Sequence, residues 1–174
     1  ETTQGLWLDH LKLDHSYDGL VDVKGFTSNF TFSYLDFDFQ PTDFIREQIE
    51  WLEENYYGVK SPAESRYVRL REFLTPEQII LYASTNKKGF NLGNTTMGLG
   101  FDTITVTIHH SYFNNLQDRL PRLRQGDVHM YNVLYDHTQL AQYKGMVSGT
   151  GSSVTSQAIV PTEEGAVLME NSKF

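Results

Sequence analysis

Polar and apolar positions alternate in short runs over residues 5–37, in GLWLDHLKL, DGLVDVK and NFTFSYLDF. Each run is rich in β-branched or aromatic residues and is bounded by Gly, Asp, Ser or Asn, which predicts short β-strands. From Pro41 to Ser84 the period lengthens. In TDFIREQIEWLEENYY, Phe44, Ile45, Ile49 and Leu52 fall at helical spacing. Pro62 and Pro76 each follow a Ser or Thr and have a Glu close behind, the pattern of a helix start, so roughly three short helices are expected here. From Thr103 the β pattern returns in TITVTIHHSYF and DVHMYNVLY, passes a Ser/Thr/Gly-rich stretch near 147–157, and ends in AVLMENSKF.

The β segments recur with a period in the low twenties. Phe30 follows Leu6 by 24 residues and His129 follows Val106 by 23. Such a period, with no helix between most strands, suits a stacked solenoid of about five coils, in which each coil buries its apolar face only against its neighbours. A β-sandwich is the alternative. Against it, two-residue hairpin signals are scarce, Asp18-Gly19 being the clear instance.

The 174 residues allow one domain, or a core with one sizeable insertion. With 14 basic and 22 acidic residues the net charge is −8, which argues against nucleic acid as a general partner. No window is apolar enough for a membrane span. The absence of cysteine excludes disulfides and thiol nucleophiles. Both ends fall inside strand-like patterns, so the chain reads as a piece of a longer protein.

Against this acidic background RLPRLR, Arg119 to Arg124, stands out. Three guanidinium groups in six residues present donor forks that match carboxylates, so they point to a polyanion, with a solvated basic turn as the bland alternative. DGLVD places Asp18 and Asp22 four apart, near Glu1, Asp9, Asp14, Asp36 and Asp38. Hard oxygen donors of this kind suit Ca²⁺. Four residues of ideal strand span roughly 13 Å, too far to share one ion, so a bend is required, with Gly19 the place for it. His109 and His110 are adjacent on a strand and are expected to face opposite ways, one stacked inside the coil and one bonded outside. His129 and Asn132 are expected in an interior polar ladder. Ser111 lacks a partner arrangement for nucleophilic work. Asp9 and His10 are assigned structural roles, and Phe30 to Phe39 core and surface roles.

Taken together, WLDH, DGLVDVKG, NFTFSY, KKGFNLG, VTIHHSYF and RLPRLRQGDVHMYN, in that order, resemble the pectate lyases of polysaccharide lyase family one. The likeness covers nearly all of the chain outside 41–84 and corresponds to a central to C-terminal portion of the family. It implies an all-β, right-handed parallel β-helix over 1–40 and 85–174, with a mostly helical insertion at 41–84 in a cleft-side loop. Asp18 and Asp22 fall on calcium ligands, a further aspartate ligand lying before Glu1. Lys88 falls on a lysine that contacts a substrate carboxylate, Arg119 on the catalytic base and Arg124 on a second substrate-binding arginine. Arg122, between them, is a candidate stabiliser.

The activity implied is calcium-dependent β-elimination on polygalacturonate by a secreted, extracellular monomer. It acts on an acidic polysaccharide, without nucleic-acid or membrane partners. An arginine base is unusual because a free guanidinium loses its proton only above pH 12. The resemblance implies an alkaline working range and a crowded cationic site. One departure is plain: Ser33 and Lys88 lie 55 positions apart, far beyond the family's short spacer. The insertion is read either as a cap that narrows the cleft or as a neutral decoration. Two other functions stay open, a non-catalytic β-helix that binds acidic polysaccharide and a pectin lyase acting on the methylated polymer without calcium. Retention of Asp18 and Asp22 speaks against the latter.

Overall fold

A computed structural model describes residues 2–16, 18–38, 41–85, 88–93, 104–139, 141 and 158–174. The strands are β1 (Thr2–Gln4), β2 (Trp7–Asp9), β3 (Lys12–Leu13), β4 (Gly19–Val23), β5 (Phe26–Ser28), β6 (Phe30–Ser33) and β7 (Asp36–Phe37). After three helices come β8 (Lys88–Leu92), β9 (Thr105–His109), β10 (Tyr112–Asn114), β11 (Arg122–Arg124), β12 (Asp127–Tyr131), β13 (Leu134–Asp136), β14 (Val160–Thr162) and β15 (Ala166–Glu170).

Every strand pairing among the described residues is parallel. Successive strands of the chain enter different sheets, and strands one coil apart pair. The first sheet runs β2-β6-β9-β12-β15, the second β3-β7-β10-β13 and the third β4-β8-β11-β14, with β1-β5 a short extra pair. This is a parallel β-helix, and the sandwich alternative falls because no neighbouring strands form a hairpin among the described residues. The register refines the period: Trp7 pairs with Thr31, and Thr107, not Val106, pairs with His129.

Alternation within each strand builds the core. Phe32, Ile108 and Met130 point inward from the first sheet, Phe37, Phe113 and Tyr135 from the second, and Phe90, Leu92 and Leu123 from the third. Phe37 stacks on Phe113 at 4.6 Å and Phe113 on Tyr135 at 5.0 Å, one aromatic per coil. Full burial of each such side chain contributes about 1.5–3 kcal/mol, so the stack of coils carries itself once nucleated.

The corner between the first and second sheets repeats a left-handed residue: His10, Tyr34, His110, Asn132 and Asn171 have φ of 45–53°. Each of the first four still donates its amide to the next coil, as in Tyr34 N to His109 O at 3.1 Å. The turn corrects three expectations about this region. Because His110 is left-handed, the strand alternation ends at His109 and both rings lie outside, their Nδ1 atoms 2.9 Å apart. His110 stacks on Tyr34 and His109 on Tyr131. His129 also lies on the outer face, bonded to Glu170 at 2.7 Å, and Asn132 is exposed at the corner, so the interior ladder is apolar instead.

The connection from β7 to β8 holds the helices α1 (Asp43–Asn55), α2 (Arg66–Arg71) and α3 (Pro76–Thr85). Ile45, Ile49, Tyr67, Leu70, Leu74, Ile79, Ile80 and Tyr82 form a core distinct from that of the coils, whereas Phe44 is exposed. Pro76 opens α3 as expected, with Thr75 and Gln78 exchanging backbone-to-side-chain hydrogen bonds at 2.9 and 3.2 Å. Pro62 does not open α2. Glu64 turns back to bond Ser61, and the helix begins only after Ser65, whose hydroxyl caps Val68 N. Phe39 and residues 147–157 lie outside the described residues.

Candidate functional site

The third sheet carries the site on its outer face. In β4, β8 and β11 the residues Val23, Phe90, Leu92 and Leu123 face the core, so alternation turns Asp22, Asn91, Arg122 and Arg124 outward. Three coils stack their polar entry turns just before these strands. Lys88 N donates to Asp18 O at 3.2 Å, and Gly89 N to Asp118 O at 3.0 Å. Phe90 N donates to Arg119 O at 2.6 Å. Asp18, Lys88 and Asp118-Arg119 thereby form one row, one coil apart.

Arg119 has φ 60° and Gln125 the same value, so left-handed residues flank β11 on both sides. A non-glycine residue is held there only when its surroundings over-determine it, commonly at functional sites. The turn that carries Arg119 also contains a cis Leu120-Pro121 bond, and Leu120 is fully buried. At the other end of the sheet Gly93 has φ 90°, and a Cβ there would lie 2.2 Å from the carbonyl oxygen of Arg124. Only glycine lets the two coils close at that point.

The charges are paired in a way that matters. Lys88 Nζ contacts the Asp18 carboxylate, and Lys24 Nζ lies 3.6 Å from Asp22. Arg119 Nε is 3.8 Å from Asp118, and Arg124 Nε 3.9 Å from Glu163. The side chains of Arg119 and Arg124 are 22 % and 15 % exposed, those of Asp18 and Asp22 72 % and 52 %. The cations are therefore set into the surface and the two acids stand in solvent. Arg119 Nε is buried without a hydrogen bond, as are Arg122 Nε and Asn91 Oδ1. Groups left so are rare in folded proteins, and each calls for an explanation.

Of the residues the sequence singled out, Asp18, Lys88 and Arg119 meet at the entry end of the sheet, while Asp22 lies midway and Arg124 at the exit. The five steps from Lys88 to Gly93 cover roughly 16 Å of extended strand, so long side chains are needed for both ends to reach one ligand. Asp18 sits in a bend and β4 starts at Gly19, which has no left-handed φ and would accept a Cβ at ordinary contact. The bend is therefore not glycine's doing. Sequence reasoning passed over Asn91; an amide at an outward position between two core residues in KGFNL was the available signal.

As calcium ligands, Asp18 and Asp22 are hard, accessible carboxylates of the right kind. They are short in number, since calcium takes six to eight oxygens. Among the described residues no group of three or more His, Cys, Asp or Glu is gathered to hold a metal.

Comparison with known proteins agrees with this fold. The family model described as pectate lyase matches residues 82–174. Over 99 % of its length the chain is 32 % identical to a pectate lyase B of Paenibacillus amylolyticus, of which it spans 47 %. A pectate trisaccharide-lyase of Bacillus licheniformis is 26 % identical over 77 % of the chain and 27 % of its own length. The solved pectate lyase of Paenibacillus sp. 0602 superposes with a TM-score of 0.75 at 29 % identity, over 97 % of this chain and 40 % of that one. The chain thus spans less than half the length of each of these relatives.

Proposed function

Because this chain belongs to the pectate lyase family, we propose that it cleaves polygalacturonate by β-elimination on the outer face of the third sheet. The observation that carries the reading is the gathering of basic side chains. Lys88 comes from one coil, and Arg119 and Arg124 stand just before and at the end of β11 on the next, beside two solvent-exposed carboxylates.

In this reading the base removes the proton on C5 of a galacturonate unit, next to its carboxylate. The electron pair forms the C4–C5 double bond, the bond from C4 to the glycosidic oxygen breaks, and solvent protonates the departing oxygen. The carboxylate gathers negative charge as the C5 proton leaves. Arg124, set low in the surface, meets that charge with donors close at hand, and such preorganised charge stabilisation is commonly a dominant contribution to catalysis. Lys88 joins it once its Nζ leaves Asp18. Arg119, in its neutral form, takes that proton and becomes a guanidinium. Its place in a left-handed turn, anchored through its carbonyl to Phe90, holds the guanidinium at a fixed height over the sheet. Asp18 and Asp22 would hold a Ca²⁺ ion, the shell completed by other oxygens. When bound, the ion supplies positive charge against the substrate carboxylate.

The helical segment at 41–84 stands between β7 and β8 in the chain, and in this reading it serves as a wall of the cleft. The protein works as a secreted monomer on an acidic polysaccharide. Neither nucleic acid nor membrane is a partner, and no described helix is long and apolar enough to cross a membrane.

The test follows unsaturated-uronate absorbance on polygalacturonate and on methylated pectin, each with calcium and with a chelator. Signal on polygalacturonate that vanishes with chelator is expected. Chelator-resistant cleavage of methylated pectin would mark a pectin lyase, and binding of polygalacturonate without product would mark a non-catalytic relative.

A further inference from the structure

Midway between Lys88 and Arg124 lies a pair of residues that the proposed elimination does not use. Asn91 and Arg122 are direct partners across β8 and β11, and Asp22 pairs with Asn91 from the other side. All three face outward, yet Asn91 is 92 % buried, since only 8 % of its surface is exposed. Its Oδ1 is a buried acceptor without a donor, and the Arg122 Nε–H beside it is a buried donor without an acceptor. The amide's other end reaches only the Gly93 carbonyl, at 3.5 Å. Asp22 does not fill the gap, because its carboxylate is exposed and turned to Lys24. Val160, the strand neighbour of Arg122 on the far side, offers no polar side-chain atom.

A donor and an acceptor, adjacent and both unsatisfied, do not bond each other here. A single group that accepts from one and donates to the other would satisfy both. A carboxylate cannot, since it only accepts. A hydroxyl can, because it carries one proton and two lone pairs. We propose that Asn91 and Arg122 together hold a free hydroxyl of a saccharide unit in the cleft, so that the protein discriminates against substrate O-acetylated at that position. The inference rests on the reading of this face as a polygalacturonate site. Binding is favoured because both buried groups gain partners only when the hydroxyl arrives. Acetylation removes the proton that Asn91 needs and adds bulk beside a side chain that is already buried.

The experiment compares kcat/KM on polygalacturonate and on chemically O-acetylated polygalacturonate. It uses the wild-type protein, Asn91→Leu, Arg122→Lys and the double variant, with unfolding midpoints recorded for all four. Arg122→Lys keeps the charge while removing the Nε donor together with the rest of the guanidinium fork, and thus remains informative if Asn91→Leu folds poorly. The wild type is expected to favour the unacetylated polymer strongly. Each variant is expected to lose roughly 5- to 100-fold on that polymer, the range of one lost hydrogen bond, and far less on the acetylated one. The double variant should lose little more than either single one, since both groups serve one hydroxyl. An unchanged acetylation ratio in an active variant, or losses that multiply, overturns the pair as a hydroxyl site and leaves a bridging water as its partner. Absence of product from the wild type instead removes the polygalacturonate reading and this inference with it.

Discussion

Two glycines on the same sheet have opposite meanings. Gly93 is left-handed and its hydrogen faces the carbonyl oxygen of Arg124 at a distance no Cβ tolerates, whereas Gly19 has ordinary dihedrals and a Cβ there would meet only ordinary contacts. Gly93→Ala is accordingly expected to destabilise the protein by about 2 kcal/mol or more, from backbone strain alone about 1–3 kcal/mol, and to push Arg124 off its row. Gly19→Ala should change stability by less than about 1 kcal/mol. Urea midpoints of the two variants check the contrast; equal losses would mean that coil closure at Gly93 is not the constraint. The sequence motif made Arg119 and Arg124 visible, but not how they are held. Left-handed dihedrals at Arg119 and His110 follow from coil geometry and carry no compositional mark, which is why one of His109 and His110 was expected inside the coil. Asn91 was overlooked for a related reason: an outward polar residue looks solvated until the neighbouring coil covers it.

At the scale of elements, the helices stand on a core of their own with one polar clasp. Arg71 meets Glu53 through Nε at 3.0 Å and Nη2 at 3.2 Å, reaches the Leu74 carbonyl at 2.7 Å, and lies 4.5 Å above the Tyr57 ring. Tyr67 donates to the same Glu53 carboxylate. The Arg71 hydrogen bonds hold the Glu53 carboxyl below its ordinary range, and burial together with Glu53 pushes the Tyr67 hydroxyl well above its own. Arg71→Ala leaves Glu53 and the Leu74 carbonyl under-satisfied, at an expected cost of about 1–3 kcal/mol. Hydrogen exchange should locate the loss in α1–α3 while the amides of the first sheet keep their protection; uniform loss would mean that the helices and coils unfold as one unit. Element type was legible wherever local chemistry decided it. Pro76 with Thr75 and Gln78 is a complete helix start, and the alternating runs became strands. Pro62 misled because Glu64 served Ser61, so the turn closed on itself before the helix began.

For the molecule as a whole, acid should loosen the coils through two histidines. Burial, and then the nearness of His110, lowers the pKa of His109, and burial lowers that of His137. Both stay neutral in the fold below the pH at which the unfolded chain protonates them, near 6.5. The unfolded chain then binds more protons, so stability is lost as pH falls from about 6.5 toward the folded values. Burial raises the pKa of Asp36, which opposes further loss only as the carboxylates titrate. Thermal midpoints from pH 8 to 5 should therefore fall below about pH 6.5, and His109→Gln with His137→Gln should flatten the drop. A profile unaffected by the two substitutions would place the acid sensitivity elsewhere.

The claim on which the whole account turns is that one sheet of a parallel β-helix assembles Lys88, Arg119 and Arg124 into a single eliminating centre. The most direct measurement is the rate of unsaturated-uronate formation on polygalacturonate, at alkaline pH with calcium, for the wild type and Arg119→Ala. The account predicts steady product from the wild type and a loss of about 100-fold or more, the lower bound for removing a positioned base, from a variant with an unchanged unfolding midpoint. Equal rates from the two proteins would contradict it.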